Sequence, residues 1–130
     1  MGAAFLLLLS GEERFTHLAL MIPVLDWSTI MSKPEMKPVA DRLTAAGYAS
    51  GLVKQAYDTV SPAFADSTVD PDRILILYAR KDQLTPESVT IGYARTRSVG
   101  RVFAYDESHS TILLNSKMFK DYCTFLDSLP

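Results

Sequence analysis

Apolar residues occur along this chain in blocks whose lengths are typical of buried strands. The stretch "THLALMIPVL" contains a continuous apolar run that stops at Pro23, as expected for a strand that is covered on both faces. The stretch "ILILYA" at 74–79 is aliphatic and lies between a Pro/Asp turn and charged residues, so it predicts a second strand. "GRVFAYD" predicts a third strand by the same criteria.

Segments with helical spacing of apolar residues separate these strands. Helices are predicted from about Ala3 to Ser10, from Val39 to Ala46, from Leu52 to Ser61, from Thr85 to about Arg97, and through "STILLNSKMFKDYCTFLDSL". Thr85 is expected to cap the fourth helix, with Pro86 as its first residue. The turn-rich segment "DWSTIMSKPEMKP" predicts an irregular connection. The alternation of strands and helices along the chain predicts an α/β fold with three layers, a parallel sheet of about three strands and flanking helices.

Composition is typical of one globular domain over residues 1–130. Hydrophobic residues make up 48% and charged residues 22% of the 130 positions. Thirteen Lys and Arg against fifteen Asp and Glu give a formal charge of −2, and the basic residues form no stripe. We therefore expect neither nucleic acid nor an anionic membrane surface as the main partner.

The cysteine and histidine content bears on location and on cofactors. Cys123 is the single cysteine and lies in the apolar run "YCTFL", which predicts a buried thiol in a reducing, cytoplasmic compartment. No Cys/His cluster has the spacing of metal ligands, so we expect neither a metal ion nor a cofactor.

The opening "MGAAFLLLLSG" lacks the features of an N-terminal address. No basic residue precedes its apolar stretch, as a secretory signal requires, and the stretch is far shorter than the roughly 20 residues that span a bilayer. Leu6 lies where a myristoylation motif has Ser or Thr. We expect no export signal, no lipid anchor and no membrane span.

Two residues with catalytic potential follow consecutive predicted strands. Asp82 comes just after the strand at 74–79, and His109 comes just after the strand in "GRVFAYD". Because functional groups gather at the carboxyl ends of parallel strands, the carboxylate is expected to orient the imidazole. The alternatives are that His109 is a surface loop residue, that Asp82 only caps the following helix or closes a turn, or that Asp106 or Glu107 takes its place as the partner.

At this point the chain resembles the C-terminal half of the α/β-hydrolase superfamily. The stretches "YARKDQLTP" and "DESHSTILL" are similar to those in which that family carries its triad acid and its histidine, and the resemblance covers nearly the whole chain. The resemblance implies Asp82 and His109 as catalytic residues in the hydrolysis of a small-molecule ester or amide. It also implies that Asp26 and Trp27, after the first strand, line a substrate pocket, with a plain packing role as the alternative for Trp27.

The nucleophile of that family is a serine in a G-x-S-x-G turn, and no serine in this chain has that context. "MGAAFLLLL" resembles the helix that follows the turn, which places Met1 directly after a serine that the chain does not contain. The backbone N–H of Met1 would then be an oxyanion donor in the intact enzyme. We expect the chain alone to be inactive.

Two functions therefore follow as expectations. The chain is either a part of an esterase, lipase or peptidase whose serine lies elsewhere, or a non-catalytic α/β module that acts by association. In either case the strand from Thr16 to Ile22 is expected to leave an open sheet edge, through which the chain forms a homo-oligomer or binds a missing N-terminal half.

Overall fold

The computed structural model describes residues 2–11 and 15–130. These residues form a mixed α/β structure. Its strands are β1 Leu18–Met21, β2 Ile74–Ala79 and β3 Arg101–Tyr105. Its α-helices are α1 Gly2–Leu9, α2 Trp27–Met31, α3 Lys37–Ala45, α4 Ser50–Thr59, α5 Glu87–Thr96 and α6 Ser116–Asp127.

The sheet has the order β1-β2-β3 and all its described pairings are parallel, as the alternation of strands and helices predicts. Leu20 lies opposite Ile76, and Leu77 lies opposite Phe103. Every residue of β2 is buried, because this strand is central and helices cover both faces of the sheet. The carboxyl ends of β2 and β3 consequently meet at one edge of the sheet.

Two apolar clusters form the core, one on each face of the sheet. Leu7 of α1 and Tyr93 of α5 pack against one face. Met118 and Phe125 of α6 pack against the other face. The arrangement has helix, sheet and helix layers, and the shared strand β2 fixes the distance between the two helical layers.

Helices α2, α3 and α4 lie between β1 and β2 in the chain, and we call them the cap. The prediction of an irregular connection over "DWSTIMSKPEMKP" is wrong, because α2 and a 3-10 turn at Pro34–Met36 form there. The reason is local: the Asp26 carboxylate accepts hydrogen bonds from the backbone N–H groups of Ser28 and Thr29 and so caps α2. The helices predicted near α3 and α4 are confirmed with slightly earlier starts.

Helix α5 ends where the sequence predicts, at about Arg97, but its first turn differs from the prediction. Pro86 is the capping residue and Glu87 the first helical one, so the prediction of Thr85 as the cap is wrong. Its C-terminal end has the two crossed hydrogen bonds of a Schellman motif, in which Ser98 takes a positive φ of 57°.

The closing helix is broken, and its cysteine is not buried. A 3-10 turn at Thr111–Leu114 precedes α6, because the Asn115 side chain accepts from the Met118 N–H and starts a new helix. Cys123 is exposed, so the prediction of a buried thiol is wrong. Met118, Tyr122 and Phe125 form the face of α6 that packs on the sheet, and Cys123 lies off that face.

No helix in the described ranges is long and apolar enough to cross a bilayer.

Candidate functional site: an aspartate–histidine pair at the sheet edge

The loops after β2 and β3 are held together by an extension of the strand pairing. The Arg80 N–H donates to the Tyr105 carbonyl at 2.8 Å, and the Lys81 N–H donates to the Glu107 carbonyl at 2.9 Å. The Lys81 ammonium also pairs with the Asp106 carboxylate at 2.8 Å. These contacts fix the loop that carries Asp82 relative to the loop that carries His109.

Asp82 is buried, with a side chain that is 1% exposed, and its two carboxylate oxygens accept four hydrogen bonds. Oδ1 accepts from the backbone N–H groups of Leu84 at 2.8 Å and Thr85 at 3.0 Å. Oδ2 accepts from the Thr85 hydroxyl and lies 2.7 Å from Nδ1 of His109. An ionised carboxylate has about four acceptor positions, so this group is fully satisfied.

These contacts determine the charge on Asp82. Burial by itself raises the pKa of the Asp82 carboxyl, but the hydrogen bonds from Thr85, His109 and Leu84 outweigh burial and hold its pKa below the ordinary value. The group is therefore a carboxylate at neutral pH and can only accept.

The charge on Asp82 in turn fixes the tautomer of His109. Because Asp82 only accepts, Nδ1 must carry the hydrogen and donate it to Oδ2. In the neutral ring this leaves Nε2 as the unprotonated nitrogen, with its lone pair available as a base. The His109 side chain is 38% exposed, so a reactant can approach it.

His109 borders a cavity of about 620 Å³ between the two loops and the cap. Lys81, Leu84 and Ser108 come from the loops, while Lys33 and Glu35 come from the segment after α2. The cavity is within the size range of small-molecule sites. The site thus combines a carboxylate, an oriented imidazole and an adjoining cavity large enough for a small molecule.

The remaining carboxylates near His109 have other partners. Asp106 pairs with Lys81, and Glu107 accepts from the Asn115 amide at 3.1 Å. Of the three acids that the sequence offered, only Asp82 hydrogen-bonds to the imidazole among the described residues.

Asp26 and Trp27 lie at the start of α2. The Asp26 carboxylate accepts from the backbone and hydroxyl groups of Ser28 and Thr29, and these bonds outweigh burial and lower its pKa. The backbone N–H of Trp27 donates to the Ser61 hydroxyl at 2.9 Å. The residues that line the cavity beside His109 in the described structure do not include either of them. Met1 lies outside the described residues.

Two residues of this site were not recognised from the sequence. Thr85 binds both oxygens of Asp82, although its position before Pro86 favours a helix cap. Lys33, which the sequence analysis does not single out, is half-buried at the cavity. The spacing Asp-x-x-Thr is the one sequence signal for the contact between Thr85 and Asp82. In this pattern the aspartate side chain can accept from the backbone N–H three residues on.

A comparison with family models and a comparison with curated proteins both find no match for this chain. No group of three or more His, Cys, Asp or Glu side chains in the described ranges is placed to hold a metal ion.

Proposed function

We propose that the chain supplies the acid and base of a serine-hydrolase-type acyl-transfer site, with the nucleophilic serine provided by another segment. The observation that carries the proposal is the contact of 2.7 Å between a buried, fully hydrogen-bonded Asp82 and Nδ1 of a half-exposed His109. The resemblance of both loops to those of α/β-hydrolases supports the same assignment.

In this mechanism Nε2 of His109 takes the proton from the serine hydroxyl as the oxygen attacks the carbonyl of an ester or amide. Asp82 keeps the ring in the tautomer that leaves Nε2 free and stabilises the imidazolium that forms. His109 then returns the proton to the leaving group, and the acyl-enzyme is hydrolysed by the same two residues acting on water.

A catalytic base must be oriented and accessible, and the local structure favours both for His109. The backbone links fix the two loops relative to each other, and the contact of Nδ1 with Asp82 orients the imidazole before substrate binds. The ring is also partly exposed on the side of the cavity, where a hydroxyl from a second segment can reach it.

The test is labelling with a fluorophosphonate, which reacts with an activated serine. The chain is examined alone, and again after it is joined to a segment that carries a G-x-S-x-G turn. We expect labelling only in the joined protein, at the serine of the added segment. His109→Ala should reduce the labelling rate by about 1,000-fold or more, since removal of one triad member costs several orders of magnitude.

His17→Ala is the matched control, because His17 is the other histidine of the chain and packs against Phe125 instead of bordering the cavity. It should label like the unmodified protein. Labelling of a serine in the isolated chain, or equal loss in the two histidine variants, would refute the proposal. A joined protein that folds and never labels would leave the association module as the better description.

A further inference from the structure

A second cavity, of about 550 Å³, lies within the cap between α2, α3 and α4. We call it the cap cleft. Its apolar lining includes Met31, Ala40, Val53 and Tyr57. A smaller apolar hollow between α3 and α4 shares Val53 and Tyr57 with it. Nothing in the acid–base mechanism uses this space.

Six hydroxyl groups lie in the wall of the cap cleft, and all but those of Ser50 and Tyr57 donate to groups within the described part of the protein. Four of them donate to neighbouring groups at 2.6 to 3.0 Å: Ser28 and Thr29 to the Asp26 carboxylate, Ser32 to the Thr29 carbonyl, and Thr44 to the Ala40 carbonyl. Their hydrogens are therefore not available to a ligand. The Lys54 ammonium is likewise paired with Asp58 at 2.5 Å.

A ligand in the cap cleft would mainly meet carbon atoms. A sugar or a peptide would lose its hydrogen bonds to water without replacing them, which costs free energy, whereas an aliphatic chain loses none. Burial of each methylene of such a chain strengthens binding about fourfold. The chemistry of the wall thus selects hydrocarbon.

The cap cleft and the His109 cavity share one stretch of backbone. Ser32 lines the cap cleft, and the next two residues, Lys33 and Pro34, line the cavity beside His109. The two spaces are therefore lined by consecutive residues of the segment that follows α2.

We propose that the cap cleft binds the aliphatic chain of the substrate, so that the substrate is an ester or amide with a hydrocarbon tail. The assignment to substrate rests on the proposed function above. Binding of an aliphatic chain is a property of the cap cleft alone and can be measured without catalysis.

The experiment is a titration of the chain with decanoate and with hexanoate, observed through the ¹³C-labelled methyl groups of its methionines. Met31 lines the cap cleft, and Met118 is fully buried under the sheet as an internal control. We expect a saturable shift of the Met31 methyl and none of the Met118 methyl. Decanoate should bind at least about 10-fold more tightly than hexanoate, because four more methylenes are buried.

Ala40→Phe, which places a ring in the cap cleft, should weaken decanoate binding by about 10-fold or more. Ala45→Phe is the matched control, since Ala45 is the exposed last residue of the same helix, and it should bind normally. Equal affinity for the two acids, a common shift of both methionines, or equal weakening by both variants would overturn the proposal. The chain-length comparison needs no variant and decides the matter even if Ala40→Phe does not fold.

If decanoate binds but the joined protein never labels, the proposed function fails and the cap cleft keeps its ligand. If labelling succeeds but decanoate binding does not, the substrate lacks the tail that we infer.

Discussion

The Asp82 side chain is a buried charge that is stable because four donors surround it. A carboxylate removed from water costs several kcal/mol unless hydrogen bonds replace those of water. Here the bonds come from Leu84, Thr85 and His109, and together they lower the pKa of the carboxyl below its ordinary value. The same contacts that prepare the histidine therefore also stabilise the fold.

Asp82→Asn should lower the free energy of unfolding by about 1–3 kcal/mol at pH 7, because an amide cannot accept at both positions and leaves a donor unpaired. The folded-state pKa of Asp82 is lowered, so its stabilisation is complete above the ordinary carboxyl pKa and is lost as pH falls through the folded-state value. Urea unfolding at a series of pH values should show that the free energies of unfolding of the variant and the unmodified chain become equal in acid.

Asp106→Asn serves as the control for this measurement, since Asp106 forms an exposed ion pair in the neighbouring loop. Its effect should stay below about 1 kcal/mol. A difference between Asp82→Asn and the unmodified chain that does not change with pH would contradict the role given to the carboxylate.

Thr85 acts on His109 through Asp82 and is a positioning residue. Thr85→Val removes the hydroxyl that donates to Oδ2 but keeps the side-chain shape, and we expect it to lower the free energy of unfolding by about 1–2 kcal/mol and to raise the pKa of Asp82. Thr85→Ser should restore both. NMR titration of the Asp82 carboxyl carbon measures the second effect, which a loss of packing alone would leave unchanged.

Among the secondary-structure elements, α5 has a C-terminal end that its sequence does not favour. Ser98 has a φ of 57° at the position where the Schellman motif usually places glycine, and Val99 beyond it packs into the core together with Ala94. The hydrogen bonds and the apolar contact hold Ser98 in a conformation that serine rarely adopts.

Ser98→Gly should raise the free energy of unfolding by about 0.5–1 kcal/mol, because glycine takes a positive φ without steric cost. Ser88→Gly, at an exposed position within the same helix, should lower it by about 0.5 kcal/mol, since glycine is a poor helix former. The midpoint temperature of thermal denaturation, followed by circular dichroism, should therefore rise for Ser98→Gly and fall for Ser88→Gly. A fall in both would mean that Ser98 makes a contact that glycine loses.

Elements with a strong periodic pattern could be predicted, whereas elements that depend on one side-chain contact could not. The bounds of β2 follow from six aliphatic and aromatic residues between charged ones, and the order of strands and helices places Asp82 and His109 at one sheet edge. The start of α2 depends on Asp26, and a Thr before a Pro fits a helix cap as well as a turn. The prediction of a buried Cys123 was wrong because apolar spacing alone does not show which stripe of a helix faces the sheet.

The whole described molecule has a sheet edge at β1, which pairs only with β2 among the described residues. The Ile22 N–H donates to Leu77 of β2, and hydrogen bonds of a parallel ladder alternate along a strand. The backbone groups of Ala19 and Met21 therefore point away from β2. An unpaired edge of this kind favours pairing with another strand.

We expect the isolated chain to self-associate through β1, with a sedimentation-average mass that rises with concentration. Ala19→Pro removes an outward-facing N–H and no bond to β2, so it should shift the protein towards monomer while the fold persists. A monodisperse monomer of the unmodified chain at about 100 μM would contradict this prediction.

The hydrogen bonds around Asp82 have a consequence for protein design. Three of the four donors belong to Leu84 and Thr85, within three residues of the acid, and only the fourth comes from a distant loop. The pentapeptide "DQLTP" is thus a small module that carries its own anion-binding contacts. Grafted after a buried strand of an unrelated parallel sheet, it should present an ionised carboxylate to whatever histidine the neighbouring loop provides.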